Sequence, residues 1–146
     1  MFKRGMDSKG QLSVEYLLLL VVIFVVFGAM ITYLIGPSID SANDISDVSA
    51  TSNTINSIAN AVNLVYANGP GSKRTVNVYF PQNMSLKRSG YDINATITLS
   101  NGTTIIKTAK TDYPMPGYNA VIPKGWHTVT VVWNNGENFI RPLVVL

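Results

Sequence analysis

Two kinds of residue in this sequence stand where their chemistry could matter. Glu15 lies two positions before a run from Leu17 to Ile31 that holds no charged and no hydrogen-bonding side chain. A carboxylate so placed is expensive in lipid or in a protein interior, so it requires a partner. The second kind is modifiable asparagine. Asn83-Met84-Ser85, Asn94-Ala95-Thr96 and Asn101-Gly102-Thr103 fit the N-x-[ST] pattern for attachment of a glycan to the side-chain amide, and all three fall within 21 residues. The plainer reading keeps Asn101 for a turn and Asn94 for a solvent-facing strand position. His127 is the only histidine and has no catalytic partner in the sequence, which makes it a strand-end or surface residue. Asp92, Asp112 and Glu137 give a thin basis for paired-carboxylate chemistry. There is no Gly-rich phosphate loop, metal-ligand cluster or serine nucleophile elbow, so neither an enzyme nor a cofactor or metal is expected.

The element that must position Glu15 is Gln11–Ile35, QLSVEYLLLLVVIFVVFGAMITYLI. As a helix rising about 1.5 Å per residue, these 25 residues would cross a hydrocarbon layer of about 30 Å with some tilt. Before it, Met1–Gly10 carries Lys3, Arg4 and Lys9 against Asp7. A basic segment followed by an apolar run has the look of a secretory signal. The run is longer than the usual core of about 7–15 residues, however, and Gly36-Pro37 beyond it is no small-residue cleavage site. The positive-inside rule places residues 1–10 in the cytoplasm and the C-terminal region outside.

The formal charge of +3 comes largely from this first segment. Without residues 1–10 the chain would carry 8 basic and 7 acidic residues, or +1. The basic balance is therefore poor evidence for a nucleic-acid partner, and none is expected. With no cysteine, a disulfide framework and a thiol nucleophile are excluded. The 111 residues after Ile35 suffice for one modest domain.

Lys9-Gly10 followed by Gln11, Ser13, Glu15 and Tyr16 resembles the Q-x-S-x-E-Y pattern of class III signal peptides, found in archaeal type IV pilin-like proteins. The resemblance covers about residues 1–35 and is silent on residues 70–146. It implies cleavage between Gly10 and Gln11 by a prepilin peptidase, with the apolar helix retained as the packed core of a filament. Glu15 would then be the fifth residue, about 6 Å along the helix from a new N-terminal amine at Gln11. The resemblance further implies an assembly ion pair between Glu15 and the Gln11 amine of an adjacent subunit, unless Gln11 cyclises and loses its charge. Surface glycosylation and a pilus assembly machinery are implied in the same way. The alternative for Glu15 is a single-pass anchor whose carboxylate sits among lipid headgroups.

Beyond Gly36-Pro37, where a bend or locally melted segment is expected, the chain resumes a helical pattern. Ile39, Ala42, Ile45, Val48, Ser52, Ile55, Ile58, Val62 and Val65 recur at spacings of three and four, and Asn68-Gly69-Pro70-Gly71 reads as a stop. A Ser/Thr/Asn-rich disordered stalk is the competing reading of this segment. Asp40, Asp44 and Asp47 share a face that reads as solvated and acidic rather than cation-binding. From Lys73 the period becomes two. Arg74–Phe80, Asp92–Ser100, Thr103–Thr108, Trp126–Trp133 and Asn138–Leu146 read as strands, with hairpin turns at Asn101-Gly102 and Asn134-Asn135-Gly136. Val129, Val131 and Trp133 should face a core built on the Ile45–Val65 helix, with Thr128 and Thr130 opposite. Pro114-Met115-Pro116-Gly117 reads as a loop and Pro142 as an edge or bulge.

The expected fold is α+β. Residues 1–10 form a cleaved leader and 11–36 a hydrophobic transmembrane or filament-core helix. This helix continues, bent near Pro37, into an amphipathic helix over 37–69, packed on an antiparallel β-sheet head over 70–146. The expected function is that of a pilin: a membrane prepilin cleaved after Gly10 and assembled through its N-terminal helix into a helical homo-oligomer at the cell surface. The alternative is a membrane-anchored adhesin or minor pilin whose head recognises a surface or glycan, with Tyr113, Tyr118 or Trp126 as aromatic contacts. An archaellin, a motility-filament subunit with a similar leader, fits the Q-x-S-x-E-Y pattern less well.

Overall fold

The computed structural model describes the backbone of residues 8–138 and 140–145 and the side chains of residues 13–138 and 140–142. Met1–Asp7 of the expected leader lie outside the described residues, as do Phe139 and Leu146 of the expected last strand. One helix, α1, spans Ser8–Asn68, followed by strands β1 (Lys73–Phe80), β2 (Met84–Thr98), β3 (Thr104–Ile122), β4 (Gly125–Val132) and β5 (Arg141–Val145). The chain divides into two compact units between Ser41 and Ala42.

In the first unit the helix is unbroken through Gly36-Pro37, so the expected melted segment does not occur. Pro37 has no N–H to give to the preceding turn. Hydroxyls on either side bond back along the helix: Ser38 Oγ donates to Leu34 O at 3.2 Å and Ser41 Oγ to Pro37 O at 2.9 Å. Thr32 Oγ1 does the same to Gly28 O and Ala29 O, so these three hydroxyls are satisfied along the helix itself.

The second unit is the head, an α+β arrangement in which the end of α1 packs on antiparallel strands. The strands form two sheets rather than one. β1, β4 and β5 lie in the order β1-β4-β5, and β2 and β3 make a separate two-stranded sheet. The helix face that enters the core is Thr51, Thr54, Ile55, Ile58, Ala59, Ala61, Val62 and Val65, all buried at helical spacing. It meets Val78 and Phe80 of β1, Ile93 and Ala95 of β2, and Val129 and Val131 of β4. Each such Ile or Val contributes about 1.5–3 kcal/mol on burial, which offsets the poor helix propensity of the intervening Ser, Thr and Asn. Ile45 is 71% exposed, because the helix face turned toward the strands at that level carries Asp44, Asp47 and Val48 instead.

Caps and turns follow the sequence closely. Gly69, at φ 82°, closes the helix by donating to Val65 O at 3.1 Å, and Ser72 Oγ bonds the same carbonyl at 2.8 Å. Gly102, at φ 80°, sits at the tip of the β2–β3 hairpin, where Leu99 N donates to Thr103 O at 2.8 Å. Gly136, at φ 86°, does the corresponding work between β4 and β5. The expected loop Pro114–Gly117 is instead part of β3. Prolines are tolerated there because the β2–β3 register shifts on either side of Gly90, leaving ladder positions that need no N–H. Thr111 Oγ1 steadies the irregularity by donating to Tyr91 O and Tyr113 O at 3.1 and 2.9 Å. Pro142 lies on β5, one of the two edge strands of its sheet, as expected.

Candidate functional site

The first candidate site is the N-terminal helical segment. Gly10 and Gln11 lie within α1, so the peptide bond between them is helical, although the side chains of residues 8–12 are outside the described set. Ser13, Glu15 and Tyr16 are exposed, and Glu15 is in no ion pair with a described residue. Gln11 and Glu15 stand one turn apart on the helix. From Val14 to Ile35 the large apolar side chains are all uncovered by this chain. The segment is long and apolar enough to cross a membrane. A continuous apolar surface of this length is not stable in water, so lipid or other helices must cover it.

The three sequons sit on the head in different settings. Asn101 is exposed at the β2–β3 hairpin tip, and its Oδ1 accepts from Thr103 N at 2.8 Å. Asn83 is exposed just before β2, with Oδ1 accepting from Lys124 N at 2.8 Å. Asn94 is half-buried within β2, with Oδ1 accepting from Thr108 Oγ1 at 2.6 Å. In each case the carbonyl oxygen is held, which fixes the amide and leaves its nitrogen, the atom a glycan would modify. Asn101 and Asn83 are open to solvent; Asn94 is only partly so, within the β2–β3 ladder. The structural roles suspected from sequence are therefore present alongside the motif.

The acidic face is divided. Asp40 is exposed and Asp47 half-buried, whereas Asp44 binds the tip of the β2–β3 sheet through Ser100. Among the described residues no group of three His, Cys, Asp or Glu side chains is placed to hold a metal. His127 lies within β4 and is 8% exposed, not at the surface. Its Nε2 bonds Pro123 O at 2.9 Å and its ring meets the edge of Phe80, while Nδ1 is buried without a partner.

Of the three aromatics named as contacts for a binding head, Tyr113 is half-buried. It forms a cluster with Tyr66 and Trp133, with ring centroids 5.0–6.0 Å apart, and donates its hydroxyl to Asn138 O at 2.6 Å. Tyr118 covers Arg88, whose guanidinium carbon is 4.6 Å from the ring centroid. Trp126 is the most open of the three, at 74% exposure against 41% for Tyr118. Sequence reasoning missed Arg88. It faces inward from β2 at 7% exposure, with Nε and Nη1 buried and unpartnered. Burial lowers its pKa below the ordinary arginine value, with Tyr118 acting in the opposite direction. The alternation Met84, Leu86, Arg88 was the available signal, since the period of two assigns Arg88 to the apolar face. No family model, curated protein or solved structure matches the chain.

Proposed function

We propose that this chain is a structural subunit of a type IV pilus-like surface filament, not an enzyme. On this reading it enters the membrane with residues 1–10 in the cytoplasm, is cut after Gly10 by a prepilin peptidase, and assembles with copies of itself through the apolar helix. The observation that carries the reading is the conjunction of Gln11, Ser13, Glu15 and Tyr16 with the uncovered apolar surface of Val14–Ile35. That surface needs a cover. Parallel copies of the same helix would supply one and would also bring the Gln11 amine of one subunit toward Glu15 of the next.

Fractionation of native cells, with mass spectrometry of sheared surface fibres, tests the proposal. The expected product is a subunit beginning at Gln11 and abundant in the fibre fraction. An intact Met1–Gly10 segment, or an N-terminus beyond Ile35, would overturn it. A tethered binding head is the second reading, and the exposure of Trp126 favours it. Such a protein would remain in membranes and be absent from sheared fibres.

A further inference from the structure

We infer that the head carries a binding site for a neutral saccharide, centred on the indole of Trp126. Trp126 lies at the start of β4 and is the most exposed aromatic among the described residues of the head. The Tyr79 ring packs beside it, with centroids 5.4 Å apart and planes inclined by 50°, which limits how the indole can turn. Two depressions meet at Trp126. One, of about 330 Å³, runs between the helix and β1 and is bordered by Asn53, Ser57, Asn77 and Tyr79. The other, of about 260 Å³, lies over Asn77 and Thr128.

The polar groups here are amides and hydroxyls with bonding capacity in reserve, together with the His127 ring, which is mostly buried and held through Nε2 by Pro123 O. Thr128 Oγ1 donates to Asn77 Oδ1 at 3.0 Å, which fixes the Asn77 amide and leaves its nitrogen as a donor. Trp126 Nε1 and the Asn53 amide bond to no described residue. No Asp, Glu, Lys or Arg borders either depression.

That combination selects a ligand chemistry. A pyranose ring presents a face of C–H bonds and a rim of hydroxyls. The C–H face packs on the electron-rich face of an indole, and the hydroxyls exchange hydrogen bonds with carboxamides, which offer a donor and an acceptor side by side. A phosphorylated or acidic ligand would call for Lys or Arg, and a basic peptide for carboxylates; the border supplies neither. A purely apolar partner would leave the Asn53 and Asn77 amides desolvated and unpaired. The site lies wholly within the head and does not depend on filament assembly.

Saturation-transfer NMR on the full chain, held in a detergent without a sugar headgroup, tests the inference. The probes are glucose, galactose, mannose, N-acetylglucosamine and the β-linked dimers of glucose and of N-acetylglucosamine. At least one should receive saturation on the C–H bonds of a single ring face. Trp126→Ala should abolish the transfer, and Asn77→Ala should weaken binding about ten-fold, both with unchanged circular dichroism. The inference is overturned if no probe receives saturation, if transfer survives Trp126→Ala, or if glucose 6-phosphate binds more tightly than glucose. It is overturned equally if Trp126→Ala reduces only association between copies of the chain, which would make this face a subunit contact.

Discussion

Both carboxylate oxygens of Asp44 are taken by Ser100: Oδ1 accepts from the backbone N–H at 2.9 Å and Oδ2 from the hydroxyl at 2.7 Å. A helical residue thereby holds the end of a hairpin 56 positions away in the chain. Ser100 N lies at the tip of the β2–β3 sheet, where ladder partners run out, so Asp44 replaces a missing backbone acceptor. Asp44→Ala should lower head stability by about 1–2 kcal/mol, since two charge-assisted bonds are lost in a half-exposed setting. Asp44→Asn should cost less, because the amide can still accept from N–H and donate to Oγ. Thermal melting checks the order. Hydrogen exchange should locate the loss at residues 99–103.

Arg88 makes the opposite prediction. Its guanidinium is buried against Tyr118 with Nε and Nη1 unpaired, so it bears a desolvation cost that the cation–π contact offsets only in part. Arg88→Met keeps most of the side-chain volume and removes the charge. Head stability should be unchanged or higher by about 1 kcal/mol. A melting temperature lowered by several degrees would show that Tyr118 compensates the cation fully.

Two glycines separate backbone strain from crowding. Gly69 and Gly71 both have positive φ, 82° and 89°, so an alanine at either should cost about 1–2 kcal/mol. A Cβ at Gly69 would meet nothing within 4 Å, whereas one at Gly71 would lie 2.9 Å from Asn135 Oδ1. Gly71→Ala should therefore be the worse of the two in a denaturant titration. Adding Asn135→Ala should bring the two variants level. Equal losses in the single variants would mean that the exposed Asn135 side chain moves aside without cost.

These cases show what the sequence makes legible. Gly69, Gly102 and Gly136 announced themselves, because left-handed backbone needs glycine and a local motif can be read locally. Val129 and Val131 were equally plain, since alternation reports a buried face whatever covers it. Ile45 was misread because spacings of three and four leave the exact angle of a stripe open, and the covered face runs through Asp44, Asp47 and Val48 instead. The Pro114–Gly117 segment was misread because proline forbids a donor, not a strand, and the register shift around Gly90 that accommodates it is a non-local fact. The same holds for the Trp126 site. Trp126 and Thr128 share a strand face, but their proximity to Asn77 depends on β1–β4 pairing, and that to Asn53 on helix packing.

The apolar segment gives the prediction on which the filament and anchor readings part. Glu15 is exposed on a helix whose surrounding side chains will be buried once the segment is covered, in lipid or among copies of itself. Under the filament reading its carboxylate meets the Gln11 amine of a neighbouring subunit, so the charge acts in docking and not in folding. Glu15→Gln keeps nearly the same volume and the capacity to hydrogen-bond, and removes only the charge. Insertion and cleavage should proceed as in the native protein. Incorporation into fibres should fall by about ten-fold or more, the scale expected when one member of a close charge pair is lost. Under the anchor reading Glu15 sits among headgroups, and the change should leave the protein's behaviour intact. Fibre yield at equal levels of processed subunit is the measurement. Native yield from Glu15→Gln removes the ion-pair mechanism, and an uncleaved product transfers the role of Glu15 to recognition by the peptidase.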